Sequence, residues 1–138
     1  MIRKILMAYD TSEQADKAFD FALEMADKYK AELTVLSVAR PPEPAEAVET
    51  EAILEQASHY YKTAFHRLKK KADEAGITVV FEVGVGHPAE KIIQKANSLQ
   101  ADAIVMGHRG KSLVERWLLG SVSKRVLSYA HCTVMVVK

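Results

Sequence analysis

Cysteine is almost absent: Cys132 is the single one in 138 residues. An intramolecular disulfide is therefore excluded, and a cysteine-based metal site lacks ligands. Charge of one sign is absent too. Lys and Arg number 19 against 18 Asp and Glu, a formal net charge of +1. A chain so balanced gives no reason to expect nucleic acid or an anionic membrane surface as partner. No apolar run approaches the roughly 20 residues that a membrane span requires. Met1-Ile2-Arg3-Lys4-Ile5-Leu6 passes straight into a strand pattern and has no signal-peptide shape. The cytoplasm is the expected compartment.

What is present suits one globular domain over residues 1–138. Apolar residues make up 49% and charged residues 27%, enough for a core and a wet surface together. Strand-like runs alternate with helical patterns. Ile5–Tyr9, Leu33–Val38, Ile77–Val83, Ala103–Met106 and Val134–Val137 read as strands. Between them, Glu13–Tyr29 carries an apolar stripe at Ala15, Ala18, Phe19, Ala22, Met25, Ala26 and Tyr29. Thr11 is positioned to cap that helix, with Gln14 three residues on as in a capping box. Further helices are expected over Glu49–Ala75, stopped by Gly76, after Pro88, and over Ser121–Ala130. Strict alternation predicts an α/β fold: one open five-stranded parallel sheet with helices on both faces. Ligands of such sheets bind past the C-terminal strand ends, at a topological switch point.

The segment Gly107-His108-Arg109-Gly110 … Gly120-Ser121-Val122-Ser123 begins where the fourth strand stops. A glycine pair there lets backbone approach a ligand closely. A third glycine followed by hydroxyls, just before a helix, offers free N–H groups to an anion, most often a phosphate. Turn-forming glycines and a Ser121 N-cap are the plain structural alternative. Ser123, in the first turn, is expected to face a phosphate. Asp10, at the end of the first strand, either caps the next helix or binds ribose, base or a phosphate-bound cation. His108 lies inside the loop, within reach of a phosphate.

Two look-alikes fail. Gly110-Lys111-Ser112 resembles the tail of a Walker A loop, but Val105 stands where that loop needs its first glycine. Gly84-Val85-Gly86-His87-Pro88-Ala89 matches a dinucleotide fingerprint, yet the next strand ends in Gly107 without the acidic residue that binds ribose. It reads as a turn. His59 and His66 share a helix face with no third metal ligand nearby, and Cys132 reads as a small core residue. Trp117-Leu118-Leu119 is either a loop anchor or a sticky patch. Val134–Val137, if an edge strand, invites pairing with a second copy. No nucleophile, base and orienting group form a recognisable set.

Over its whole length the sequence resembles the universal stress protein family. The resemblance rests on Ile5–Asp10 with Ser12, on Gly86-His87-Pro88-Ala89, on Ala103–Gly107, and on Gly107-x2-Gly110-x9-Gly120-Ser121, the pattern of that family's ATP-binding branch. It implies a Rossmann-like sheet in the order 3-2-1-4-5 and a homodimer through the last strand, Val134–Val137. It implies ATP, with Mg2+ or Mn2+ held through the phosphates, in the crevice past strands one and four. A role in stress response and signalling toward an unknown protein partner, with little or no ATP turnover, goes with it. Carried onto this chain, Ala8, Tyr9 and Asp10 lie beside the nucleoside and Val38 contacts adenine. Gly107, Arg109 and Gly110 wrap the phosphates, and Gly120, Ser121, Val122 and Ser123 supply donors. The chain departs from the family in three places. Thr11 replaces a glycine, His108 a small hydroxyl residue, and Thr133 a proline. Two other readings remain: a nucleotide-free dimeric interaction module and a slow ATP hydrolase. The phosphate loop alone does not separate ATP from AMP or a cyclic nucleotide.

Overall fold

The apolar runs of the first and fourth strands carry almost no polar residue, which suits strands covered on both faces. The computed structural model, which describes residues 1–41, 50–108 and 120–138, bears this out. Its elements in chain order are β1 (Lys4–Ala8), α1 (Glu13–Tyr29), β2 (Glu32–Ala39), α2 (Thr50–Glu74), β3 (Val79–Val85), α3 (Pro88–Leu99), β4 (Ala103–Gly107), α4 (Ser121–Tyr129) and β5 (Thr133–Val137). All neighbouring strands run parallel in the order β3-β2-β1-β4-β5. The expected readings of Arg109, Gly110, the Lys111-Ser112 tail and Trp117-Leu118-Leu119 lie outside the described residues.

Side chains alternate across β1. Ile5, Met7 and Tyr9 join a core with α1 and α2, while Leu6 and Ala8 pack with α3 and α4. Phe19 of α1 and Leu68 of α2 are both fully buried in the first core. Ile92 of α3 and Val126 of α4 anchor the second. Each such side chain contributes roughly 1.5 to 3 kcal/mol through burial, and truncating Phe19 to alanine costs about 3 to 5 kcal/mol.

The helix ends correct several sequence expectations. Ser12, not Thr11, caps α1, its Oγ accepting from Ala15 N at 3.0 Å. Asp10 preempts the Thr11 cap by turning the chain: its Oδ1 accepts from Ser12 N at 3.0 Å. Lys30 closes α1 in a left-handed conformation, so Tyr29 falls at the frayed edge and is exposed. Gly76, at φ +73°, turns the chain out of α2 as expected and leaves Ala75 exposed. The third strand is shifted by two residues to Val79–Val85, because Ile77 and Thr78 are still part of the exit turn, with Ile77 N donating to Ala72 O. Gly120 is the N-cap of α4 without a side-chain bond, and Ser121 is its first helical residue.

Candidate functional site

β1 and β4 lie side by side, with Ile5 opposite Ala103 and Met7 opposite Val105. Past their C-terminal ends, β1 runs into α1 on one face and β4 leads toward α4 on the other. The crevice left between them holds a cavity of about 370 Å3, at the small end of the usual range for small-molecule sites. Ala8, Tyr9, Asp10, Val38, Gly107, Gly120, Ser121, Val122 and Ser123 all line it, so the structure brings nine of the sequence-predicted residues together. His108 is buried and is not among the lining residues. Arg109 and Gly110 lie outside the described residues.

The β1 rim is tied down by side chains. Tyr9 N donates to Leu36 O at 2.9 Å, and Ser37 Oγ donates to Tyr9 O at 2.6 Å. The Tyr9 ring turns away into the first core. Its hydroxyl donates to Asp16 Oδ1 at 2.7 Å, and Arg67 Nη2 donates to both the phenol oxygen (3.0 Å) and Asp16 Oδ1 (2.9 Å). Burial and the neighbouring Asp16 carboxylate hold the Tyr9 phenol well above its ordinary range. One residue on, Thr11 sits at φ +67°. A β-branched side chain is disfavoured there. The residue therefore bears the strain of a backbone conformation that suits glycine better. Its Oγ1 is buried and makes no hydrogen bond among the described residues.

The β4 rim is built from main chain. A Cβ on Gly107 would come within 3.0 Å of the Gln14 carbonyl carbon and 3.1 Å of Ala15 N. The first turn of α1 thus leaves little room for a side chain there. His108 N donates to Val137 O at 2.7 Å, and its carbonyl accepts from Gly120 N at 3.2 Å. The His108 main chain therefore splices β5 and the start of α4 onto the end of β4. Ser123 is buried, and its hydroxyl donates to Gly107 O at 3.1 Å. That bond ties the first turn of α4 to the end of β4, and Ser123 also lines the cavity. The first N–H groups of α4 have no intrahelical acceptor and, among the described residues, no side-chain cap.

The remaining wall was not read from the sequence. Leu36 lines the cavity two residues before Val38, the spacing that puts both on one face of β2. Pro88 and Ile92 are one helical turn apart on α3, and Arg40 follows β2 at the mouth. The period-2 and i+4 rules, extended from Val38 and Pro88, would have found Leu36 and Ile92. The site therefore pairs an apolar slot with Asp10 as the one carboxylate in its described lining, and with helix-end donors at the far side. That combination takes a flat apolar body, hydroxyl donors and an anionic tail. Among the described residues no group of three or more His, Cys, Asp or Glu is placed to hold a metal. A cation here needs ligands from its guest, with Asp10 as the nearest protein carboxylate in the lining.

A model of the universal stress protein family matches residues 1–138. The chain belongs to that family. Universal stress protein MJ0531 of Methanocaldococcus jannaschii is 37% identical, with 100% of this chain and 83% of the relative covered. Among solved structures, hypothetical protein MJ0577 is 31% identical and superposes with a TM-score of 0.88, covering 100% of this chain and 96% of the other. Two more distant members of the fold were solved with nucleotides. One is a universal stress protein in complex with cAMP (22% identical, TM-score 0.78, covering 99% of this chain and 97% of that one). The other is the Archaeoglobus fulgidus protein in complex with dAMP (23% identical, TM-score 0.69, covering 100% and 98%).

Proposed function

We propose that this universal stress protein binds ATP in the β1–β4 crevice and acts as a nucleotide-dependent stress-response and signalling module, with little or no turnover. The observation that carries the reading is the cavity itself: an apolar slot, one carboxylate and an uncapped helix start meeting at the switch point of the sheet. The adenine lies in the slot against Leu36 and Val38. Asp10 accepts from the ribose hydroxyls. The amides of Ser121 and Val122, at the positive end of α4, meet the phosphates, as do Arg109 and Gly110. Mg2+ or Mn2+ is held through the phosphate oxygens and offsets their charge. Tyr9 contributes main chain only, since its phenol is engaged by Asp16 and Arg67. The cAMP and dAMP complexes of two fold relatives support an adenine nucleotide as the ligand class. The protein works in the cytoplasm as a homodimer through Val134–Val137, the backbone of β5 being open on one side at the sheet edge.

Titration calorimetry with ATP and Mg2+ tests the site. Asp10→Ala removes a charged acceptor worth about 1.5 to 3 kcal/mol, so affinity should fall roughly tenfold to a hundredfold. Unchanged affinity in this variant sinks the assignment of Asp10. Tighter binding of cAMP than of ATP by the parent protein keeps the site but changes the ligand.

A further inference from the structure

The sheet has two edges, and β3 is the one that the proposed dimer leaves open. Its outer backbone has no strand partner among the described residues. On the α2 side, β3 borders an open groove of about 690 Å3. The floor is apolar: Phe81 and Val83 from β3, Leu54 and Phe65 from α2. Phe65 and Phe81 touch, with ring centroids 5.0 Å apart. The rim is cationic. Lys62 and Lys69 line the groove beside His66, and among the described residues no acidic side chain does. On the other face of β3, a smaller depression is lined by Lys91 and Lys95 beside Glu82. Lys95 pairs with Glu82 and Lys69 with Asp73. Among the described residues, Lys62 and Lys91 have no carboxylate partner. A chain that is neutral overall therefore carries local positive charge on both sides of one exposed strand.

We propose that the β3 edge is a docking site for an extended segment of a partner protein that alternates apolar and acidic residues. The segment adds a sixth strand beside β3, by the main-chain pairing that open sheet edges offer. Its apolar side chains rest on Phe65, Phe81 and Val83. Its carboxylates, on alternate positions, meet Lys91 and Lys95, with Lys62 and Lys69 adding attraction at the rim. A second copy of this chain fits worse. β5 has no acidic residue, and the one in β3, Glu82, is already paired with Lys95. The site identifies the chemistry of the downstream partner, but it stands apart from the nucleotide reading: a protein that binds no ATP would dock the same segment.

The test uses two labelled peptides, one alternating valine with glutamate and one alternating valine with lysine. Fluorescence anisotropy should show the glutamate peptide binding the full-length protein and the lysine peptide failing to bind. Lys62→Glu combined with Lys91→Glu breaks no ion pair among the described residues. It should weaken the glutamate peptide at least tenfold and admit the lysine peptide. Amide exchange should slow at Val79–Val85 when the glutamate peptide is bound. Equal binding of both peptides, an unaffected double variant, or protection at β5 instead of β3 would overturn the proposal. So would self-association through β3 that excludes the peptide.

Discussion

The two rims of the crevice solve the same problem by opposite means. After β1, side chains do the fastening: Asp10 turns the chain, Ser12 caps α1, Ser37 holds Tyr9 O, and Asp16 with Arg67 grips the phenol. After β4, main chain does most of it: Gly107 lies close against α1, His108 splices β5 to α4, and Gly120 starts α4 without a side-chain cap among the described residues. The Ser123 hydroxyl adds one bond to Gly107 O. The first rim pairs most of its own polar groups, the buried Thr11 Oγ1 excepted, and serves as a fixed wall with one carboxylate. The second leaves helix-end donors for an anion. A site that must recognise a nucleoside and hold phosphates needs one of each.

Breaking the β4 rim should have the largest effect. In Gly107→Ala the added methyl meets main chain of Gln14 and Ala15, which cannot rotate away. Denaturant unfolding should show a loss of about 2 to 3 kcal/mol. Unchanged stability with lost nucleotide binding would instead assign the glycine to the ligand alone.

On the β1 rim, Tyr9→Phe removes the hydroxyl that joins α1 to α2 and should cost about 1 to 2 kcal/mol, moderated because the Asp16–Arg67 pair is half exposed. The same variant carries a pH signature. The Tyr9 phenol is raised above its ordinary 10.0 in the fold. Its contribution is fully present below pH 10 and is lost as pH rises toward the folded-state value. Wild type should therefore lose stability on the alkaline side more steeply than Tyr9→Phe, measured as unfolding midpoints across that range.

Thr11→Gly sharpens the contrast with a gain. Leaving the left-handed region to glycine removes roughly 1 to 2 kcal/mol of strain, part of which glycine's extra unfolded-state entropy offsets. The unfolding midpoint should rise by the equivalent of about 1 kcal/mol at unchanged slope. A lower midpoint would mean that the Thr11 hydroxyl is stabilising after all. The smallest effect lies at the opposite end of the sheet. Asp102 accepts from Arg3 N (2.8 Å) and Lys4 N (3.0 Å), which lowers its carboxyl below the ordinary 3.8. That help is present above pH 3.8 and fades as pH falls through the folded-state value. Asp102→Asn should flatten the acid limb of the stability profile while leaving nucleotide affinity unchanged.

The sheet was legible because its signals are local and periodic. Leu6 and Met7 point to opposite faces, and both are wholly buried, as a central parallel strand requires. The residues gathered at the crevice were legible because glycines and Asp10 stand at strand ends. What escaped is long-range or competitive. Arg67 reaches Asp16 across 51 residues, and no spacing rule announces such a pair. Thr11 and Ser12 both fit a helix cap, and the choice fell to the Asp10 turn. The bond from the Ser123 hydroxyl to the carbonyl of Gly107 spans 16 residues and is equally silent in the sequence. Gly107 lines the cavity as its place at the strand end implies, and its second constraint, the closeness of Gln14 and Ala15, is set by an element far earlier in the chain.

The most direct measurement is to denature freshly purified protein and identify the released small molecule by chromatography and mass. The account predicts ATP in near-equimolar amount to the chain. An empty protein that also takes up no added ATP with Mg2+ would contradict it, leaving the family and the fold in place and the crevice without its proposed ligand.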